Sequence, residues 1–241
     1  MKTCQFIKLN VVDSTNSYAL KNLSSLEDRQ IIVADRQTSG RGRLNRIWKS
    51  DSDGNVYMSI ILKPSGAGGN KLLNIPQYMS IIICRLLENY GVKAEIKWPN
   101  DVLVGGQKIS GILSEASTRG MTLRGVVLGV GINLNNTEEY LSEIDQPATS
   151  LNLLLNMPVD RDLFTEQLVE EFFKDYDLFL SSGFGLIKEE YVKRCSFIGK
   201  TVTVKSGADC NSGIAQGIDS NGEMIILCGN QEKIINIGDV M

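Results

Sequence analysis

Two apolar runs joined by a pair of glycines, DVLV-GG-QKISGILSEAS from residue 101, constrain this 241-residue chain more than any other stretch. A two-residue Gly-Gly loop supplies the positive φ that a tight hairpin demands, so it predicts two antiparallel strands. AEIKW before it, and TLRGVVLGVGINL after a turn at Arg119-Gly120, extend the pattern into a mixed, largely antiparallel sheet. FIKLNVV, IIVAD and VYMSIILK read as further strands, IIVAD buried by its continuous β-branched content. DSTN at 13–16 carries the short oxygen-bearing side chains of a helix cap ahead of SYALKNL.

The polar, glycine-spaced segment from Gln37 to Gly54 reads as a long loop, and PSGAGGN at 64–70 as a flexible connection. IPQYMSIIICRLLENYG then predicts a helix that Gly91 terminates and that packs on the sheet. Residues 135–159 read as loop, and Asp160 introduces a helix with Phe164, Leu168, Phe172 and Tyr176 at four-residue spacing. A short helix is expected over 186–194. From about Gly199 the texture changes to short alternating runs broken by Gly, Asn and Asp, the pattern of a small β-barrel of roughly 40–45 residues that should lean on the larger unit. The fold class is α+β, a mixed sheet with helices followed by a small barrel.

The chain contains no histidine. A Ser-His-Asp triad, a Cys-His pair and an imidazole-ligated zinc site are therefore excluded. What survives is charge neutralisation, positioning, a bound ion, or proton transfer by carboxylate and lysine. The five cysteines include no pair at two-residue spacing, and their odd number argues against a disulfide framework and for a reducing cytoplasm. No apolar run approaches the roughly 18 residues of a membrane span, and the N-terminus has no signal-peptide core.

Three arginines alternate with glycine and asparagine in GRGRLNRIW at 40–48, within a chain of net charge −3. Glycine lets backbone N–H groups approach an anion, and guanidinium forks bind phosphate or carboxylate oxygens in pairs. The same residues also suit a solvated turn or a nucleic-acid contact. In KWPNDVLVGGQKISGILSE at 97–115, a regular hairpin sets Val104 opposite Gln107, Leu103 opposite Lys108 and Asp101 opposite Ser110, with Asp101, Leu103, Lys108 and Ser110 on one face. Asp101 and Lys108 then meet, as an ordinary cross-strand ion pair or as part of a site shaped by the WPND corner. Gly129 and Gly131 either relieve crowding between strands or let a ligand lie flat on the backbone, with Asn133 able to hydrogen-bond it.

Taken in order and at these separations, DSTN, QTSGRGRLNRIW, KWPNDVLVGGQKISGILSE and VLGVGINLN resemble the biotin protein ligases over essentially the whole chain. The resemblance implies a class II synthetase-like catalytic domain over residues 1–194 and an SH3-like barrel over 195–241. The catalytic pattern begins within the first dozen residues, so the DNA-binding domain of many relatives is not expected. Implied substrates are biotin and ATP, with Mg2+. The implied products are biotinyl-5′-AMP and then a biotinylated lysine on a biotin carboxyl carrier protein. A monomer or homodimer away from any membrane is expected, with no residue assigned to the metal.

Carried over position by position, the resemblance places Ser14, Thr15, Asn16 and Gln37 around the ureido end of biotin, with Gly40, Arg41, Gly42, Arg43, Gly111, Gly129 and Gly131 completing its site. Lys108 and Arg43 lie along the bridge between biotin carboxylate and α-phosphate, Lys108 as the principal catalytic cation and Asp101 as a candidate helper in the second step. Arg46, Trp48, Lys97, Asn100, Asp101 and Asn133, with Arg43 and Lys108, are the expected ATP-side residues. Two departures stand out: the family's usual glycine is Asn45 here, and SDSDG at 50–54 occupies a stretch where proline is common. Asparagine tolerates positive φ better than most residues.

Three rivals remain on the residues alone. A lipoate ligase or octanoyltransferase shares the catalytic fold but carries a histidine-containing motif that this chain lacks. A nucleic-acid-binding module would use GRGRLNR as a basic patch, against a pI near 5.2. A biotin sensor would bind without turnover.

Overall fold

The computed structural model describes residues 5–64, 71–207 and 209–240, so the connection at 65–70 lies outside the described residues. Strands β1 (Phe6–Val12), β2 (Ile31–Gln37), β3 (Val56–Leu62), β4 (Glu95–Lys97), β5 (Asp101–Val104), β6 (Gln107–Arg119) and β7 (Thr122–Ile132) form one sheet in the order β1-β2-β3-β7-β6-β5-β4. Only β1 and β2 pair in parallel; the other neighbours are antiparallel.

Helices cover the sheet on both faces. Ile31 and Val33 of β2 join the main apolar cluster with α2 (Ile75–Asn89) and α5 (Arg161–Lys174), whereas Ile32 turns the other way and packs with Ala19 of α1 (Thr15–Lys21). Ile60 and Ile61 of β3 divide in the same manner. Covered on both sides at this position, every residue of β3 is buried, and the polar alternation of a half-exposed strand is absent. Ser14 caps α1 by accepting from the Ser17 N–H, and Gly91 follows α2 at φ +76°.

Strands β8 (Thr201–Ser206), β9 (Asp209–Ile218), β10 (Met224–Cys228), β11 (Gln231–Ile235) and β12 (Asp239–Val240) form a separate antiparallel sheet in the order β11-β10-β9-β8-β12. It leans on the larger sheet as expected. Trp98 Nε1 and Gln77 Nε2 both donate to Gly222 O, at 3.0 and 2.8 Å, and one apolar cluster runs from Trp98 to Val202 and Met224.

Several expectations are corrected. Residues 135–159 are not all loop: α3 (Glu138–Ser142), capped by Thr137, and α4 (Leu151–Leu155) are too short for a helical period to register. Tyr176 does not continue α5, which stops at Lys174; it opens α6 (Tyr176–Ser182). The final helix, α7, spans Lys188–Arg194, after a 3-10 turn at Gly183–Leu186. The β6–β7 loop is Gly120-Met121, because Arg119 pairs with Thr122.

The correction that matters most for function is in the β5–β6 register. Val104 pairs with Gln107 and Leu103 with Lys108 as expected, but a bulge then sets Asp101 opposite Gly111, not Ser110. The backbone of residues 108 and 109 has other partners: Lys108 N–H donates to Pro147 O, Lys108 O accepts from Thr149 N–H, and Ile109 O accepts from Asn133 N–H. Ser110 is fully buried and donates to Gly131 O instead of facing the site.

Candidate active site

The site lies on the α1 face of the sheet, where three side chains are missing. Gly111 and Gly131 are cross-strand partners on β6 and β7, and Gly129 stands one pleat along, opposite Ser59 of β3. A Cβ at Gly129 would come within 2.3 Å of Asn16 Oδ1, and one at Gly131 within 2.4 Å of Trp48 Cε2. At Gly111 it would meet Trp48 Cζ3 at 2.9 Å. Neither sequence reading of these glycines foresaw this use: they admit Asn16 and the indole of Trp48 onto the sheet floor.

At one end stands a network of amides and hydroxyls. Thr15 N–H and Oγ1 donate to Gln37 Oε1 at 2.8 and 3.2 Å, and Gln37 Nε2 donates to Ser50 Oγ. Ser59 Oγ donates to Asn16 Oδ1 at 2.6 Å, while Asn16 Nδ2 donates to Glu115 Oε2 at 2.9 Å. Glu115, missed by sequence reasoning, also accepts from Arg41, whose other nitrogen reaches Ser17 Oγ. Gly40 does not line the cavity; it supports it, since a Cβ there would strike Ser50 Oγ and Trp48 O at 2.3 Å.

At the other end are the cations. Lys108 Nζ lies 2.7 Å from Asp101 Oδ2, with both side chains about 15% exposed. It also sits 5.5 Å from the Trp48 ring centroid, within cation–π reach. The bulge is what brings Asp101 alongside Gly111 and so beside the Lys108 ammonium. Arg43 Nη1 donates to Asn100 Oδ1 at 2.8 Å. Arg43 opens a 3-10 turn, Arg43–Asn45, in which Leu44 and Asn45 have φ of +52° and +60°. Asparagine thus fills a left-handed position that few residues other than glycine adopt readily. The base of the loop is pinned. Asp51 accepts from Tyr140 Oη at 2.6 Å, which holds its carboxyl below the usual range, and Asp53 takes both nitrogens of the Arg36 fork at 2.6 Å.

These groups line one open cavity. Ser14, Thr15, Asn16 and Gln37 line one end; Arg43, Arg46, Asn100, Asp101 and Lys108 line the other. Arg41, Gly42, Trp48 and the floor glycines Gly111, Gly129 and Gly131 complete the walls between them. Gln146 and Asp239 also line it, and neither belongs to a motif that sequence reasoning singled out. Besides Gly40, two expected residues stand apart from the lining. Lys97 is half-buried on β4 opposite Asp101 and does not line the cavity. Asn133 commits its amide to Thr149 O and Asn136 Nδ2, though it lines a smaller neighbouring recess beside Trp48.

The sequence profile of the Biotin/lipoate A/B protein ligase family matches residues 9–133, and that of the Biotin protein ligase C terminal domain matches 197–241. The Biotin–[acetyl-CoA-carboxylase] ligase of Paracoccus denitrificans is 30% identical, with 95% of this chain and 96% of that protein covered. The Bifunctional ligase/repressor BirA of Bacillus spizizenii is 32% identical over 95% of this chain and 70% of its own length. Among solved structures, biotin protein ligase from Aquifex aeolicus in complex with biotin and ATP superposes with a TM-score of 0.85 at 29% identity, covering 98% and 97% of the two chains.

Proposed function

The chain belongs to the biotin/lipoate A/B protein ligase family, and we propose that it is a biotin–protein ligase, activating biotin with ATP and passing the biotinyl group to one lysine of a biotin carboxyl carrier domain. One observation carries the reading: an amide-and-hydroxyl end built on Thr15, Asn16 and Gln37 and a cation end built on Arg43 and Lys108 share a single cavity. The first suits a neutral urea, and the second suits two anions brought together. We assign residues 1–194 to catalysis and 195–241 to the C-terminal domain.

In the first step a biotin carboxylate oxygen attacks the α-phosphorus, and pyrophosphate leaves with the electron pair of the broken P–O bond. Biotin's carboxylate is already ionised near neutral pH, so no general base is needed and the absence of histidine costs nothing. The obstacle is electrostatic: like charges about 4 Å apart repel by roughly 4 kcal/mol at an effective dielectric near 20. Lys108, held by Asp101, and Arg43, held by Asn100, are the cations that offset it.

In the second step the neutral amine of the carrier lysine attacks the acyl carbon, AMP leaves, and the amine sheds one proton. Asp101 is the carboxylate nearest Lys108 and our candidate to receive it. Among the described residues no group of three His, Cys, Asp or Glu side chains could hold a metal ion. A magnesium ion arriving with ATP would take most of its ligands from phosphate and water, with at most one or two carboxylates of the cavity lining, and would offset phosphate charge.

The test is exchange of labelled pyrophosphate into ATP. Biotin should support it, and lipoate and octanoate should not. Exchange with lipoate in place of biotin would move the chain to the other branch of its family; binding of biotin without any exchange would make it a sensor.

A further inference from the structure

Asp239 enters the cation cluster from the far end of the chain. Its Oδ2 lies 2.6 Å from Arg46 Nη2, and its Oδ1 is 3.3 Å from Arg43 Nη1. Arg43 Nη2 also donates to Gly238 O at 3.2 Å. The carboxylate is not a surface partner of convenience: its side chain is 15% exposed, and Oδ2 is wholly buried with no contact of good hydrogen-bond geometry. Gly238 makes the approach possible, because a Cβ there would sit 2.7 Å from Val204 Cγ1 and push β12 off β8.

We propose that Asp239 is a positioning residue: it takes the part of a substrate phosphate while no nucleotide is bound, holding Arg43 and Arg46 in place, and yields them when nucleotide arrives. The inference rests on the ligase reading for the identity of the nucleotide, but its first test does not. Fork-shaped guanidinium groups bind carboxylate and phosphate through the same donors, so one anion can exchange for the other. The two cannot share these arginines closely, since their like charges repel in a partly desolvated pocket. Asp239 therefore competes with ATP while keeping the loop at 41–48 seated on the C-terminal sheet.

Two opposite effects of one substitution follow. In ligand-free protein, Asp239→Asn should speed tryptic cleavage after Arg41, Arg43 and Arg46, because the latch is gone. With biotin saturating and magnesium present, the same variant should bind α,β-methylene-ATP more tightly, by about threefold to tenfold, the factor for one partly exposed ion pair. A substitution that merely damages the fold would weaken nucleotide binding. Weaker binding by a variant with an unchanged melting temperature, or unchanged ligand-free cleavage, overturns the proposal.

If the variant does not fold, hydrogen exchange on the unaltered protein decides. Biotin with the nucleotide analogue should slow exchange at 41–48 without slowing it at 238–240; slowing at both means the contact persists, and the proposal fails. An unaltered protein that binds no nucleotide sinks the ligase reading instead, and leaves the ligand-free cleavage result to judge the latch.

Discussion

Lys108 is the residue on which the proposed chemistry turns, and its surroundings explain why it stays where it is needed. Asp101 at 2.7 Å and the Trp48 ring hold the ammonium beside the glycine floor. Preorganised charge of this kind contributes far more in a shielded site than in water. Lys108→Ala should fold yet lose biotin-dependent pyrophosphate exchange by on the order of a hundredfold or more. Normal exchange in the variant would show that the cation is wrongly assigned. That Lys108, Arg43 and Asp101 would gather at one cavity was legible from motif order. The partner that each one holds was only half legible, because a regular hairpin would have put Asp101 opposite Ser110 and the bulge puts it opposite Gly111.

At the scale of an element, the arginine loop is a strap with fixed ends and a loosely held middle. Asp51, Asp53 and Asn55 anchor its C-terminal base through Tyr140, Arg36 and Asn136. Its centre, by contrast, exposes Leu44 and Ile47 and depends on polar contacts. Segments with few buried apolar contacts open at low cost, and ordering over a bound mixed anhydride would exclude water. Biotin with ATP should slow limited proteolysis within 41–54, with the cuts concentrated after Arg41, Arg43 and Arg46. Equal cleavage with and without ligand would remove the closing-strap account. The glycine-arginine composition announced a loop here, but the pinned base depends on α3, a helix too short to be read from the sequence.

For the whole molecule, α7 is clamped to α2 beneath the junction of the two sheets. Arg194 bridges Glu88 and Glu190, and Arg85 adds a second contact to Glu190. Burial pushes the Glu190 carboxyl up, but hydrogen bonds from Arg85 and Arg194 outweigh it and hold it below its usual range. The hydrogen bond from Arg194 lowers Glu88 in the same way. A carboxyl lowered on folding stabilises the native state fully above its unfolded value of about 4.3, and that contribution fades as pH falls through the folded value. Glu190→Gln should therefore melt lower at pH 7, on the order of 2–4 °C once solvent screening is allowed for. The gap should close at a pH low enough for the folded carboxyl to take up its proton. A gap that is the same at both pH values would assign the effect to packing rather than charge.

What the sequence determined by itself is local or ordered along the chain. The glycine turns, the Ser14 and Asp160 caps, the long apolar helix at 75–89 and the succession of motifs that marks the family all follow from short-range sterics and periodicity. What only the tertiary structure decided is which distant groups meet. Asp239 reaches Arg43 across 196 positions, Glu115 ties Asn16 to Arg41, and residues 147–149 redirect the backbone of Lys108. An isolated carboxylate or carbonyl accepts from any donor within reach, so its choice of partner has no local signature and appears only when the sheets assemble.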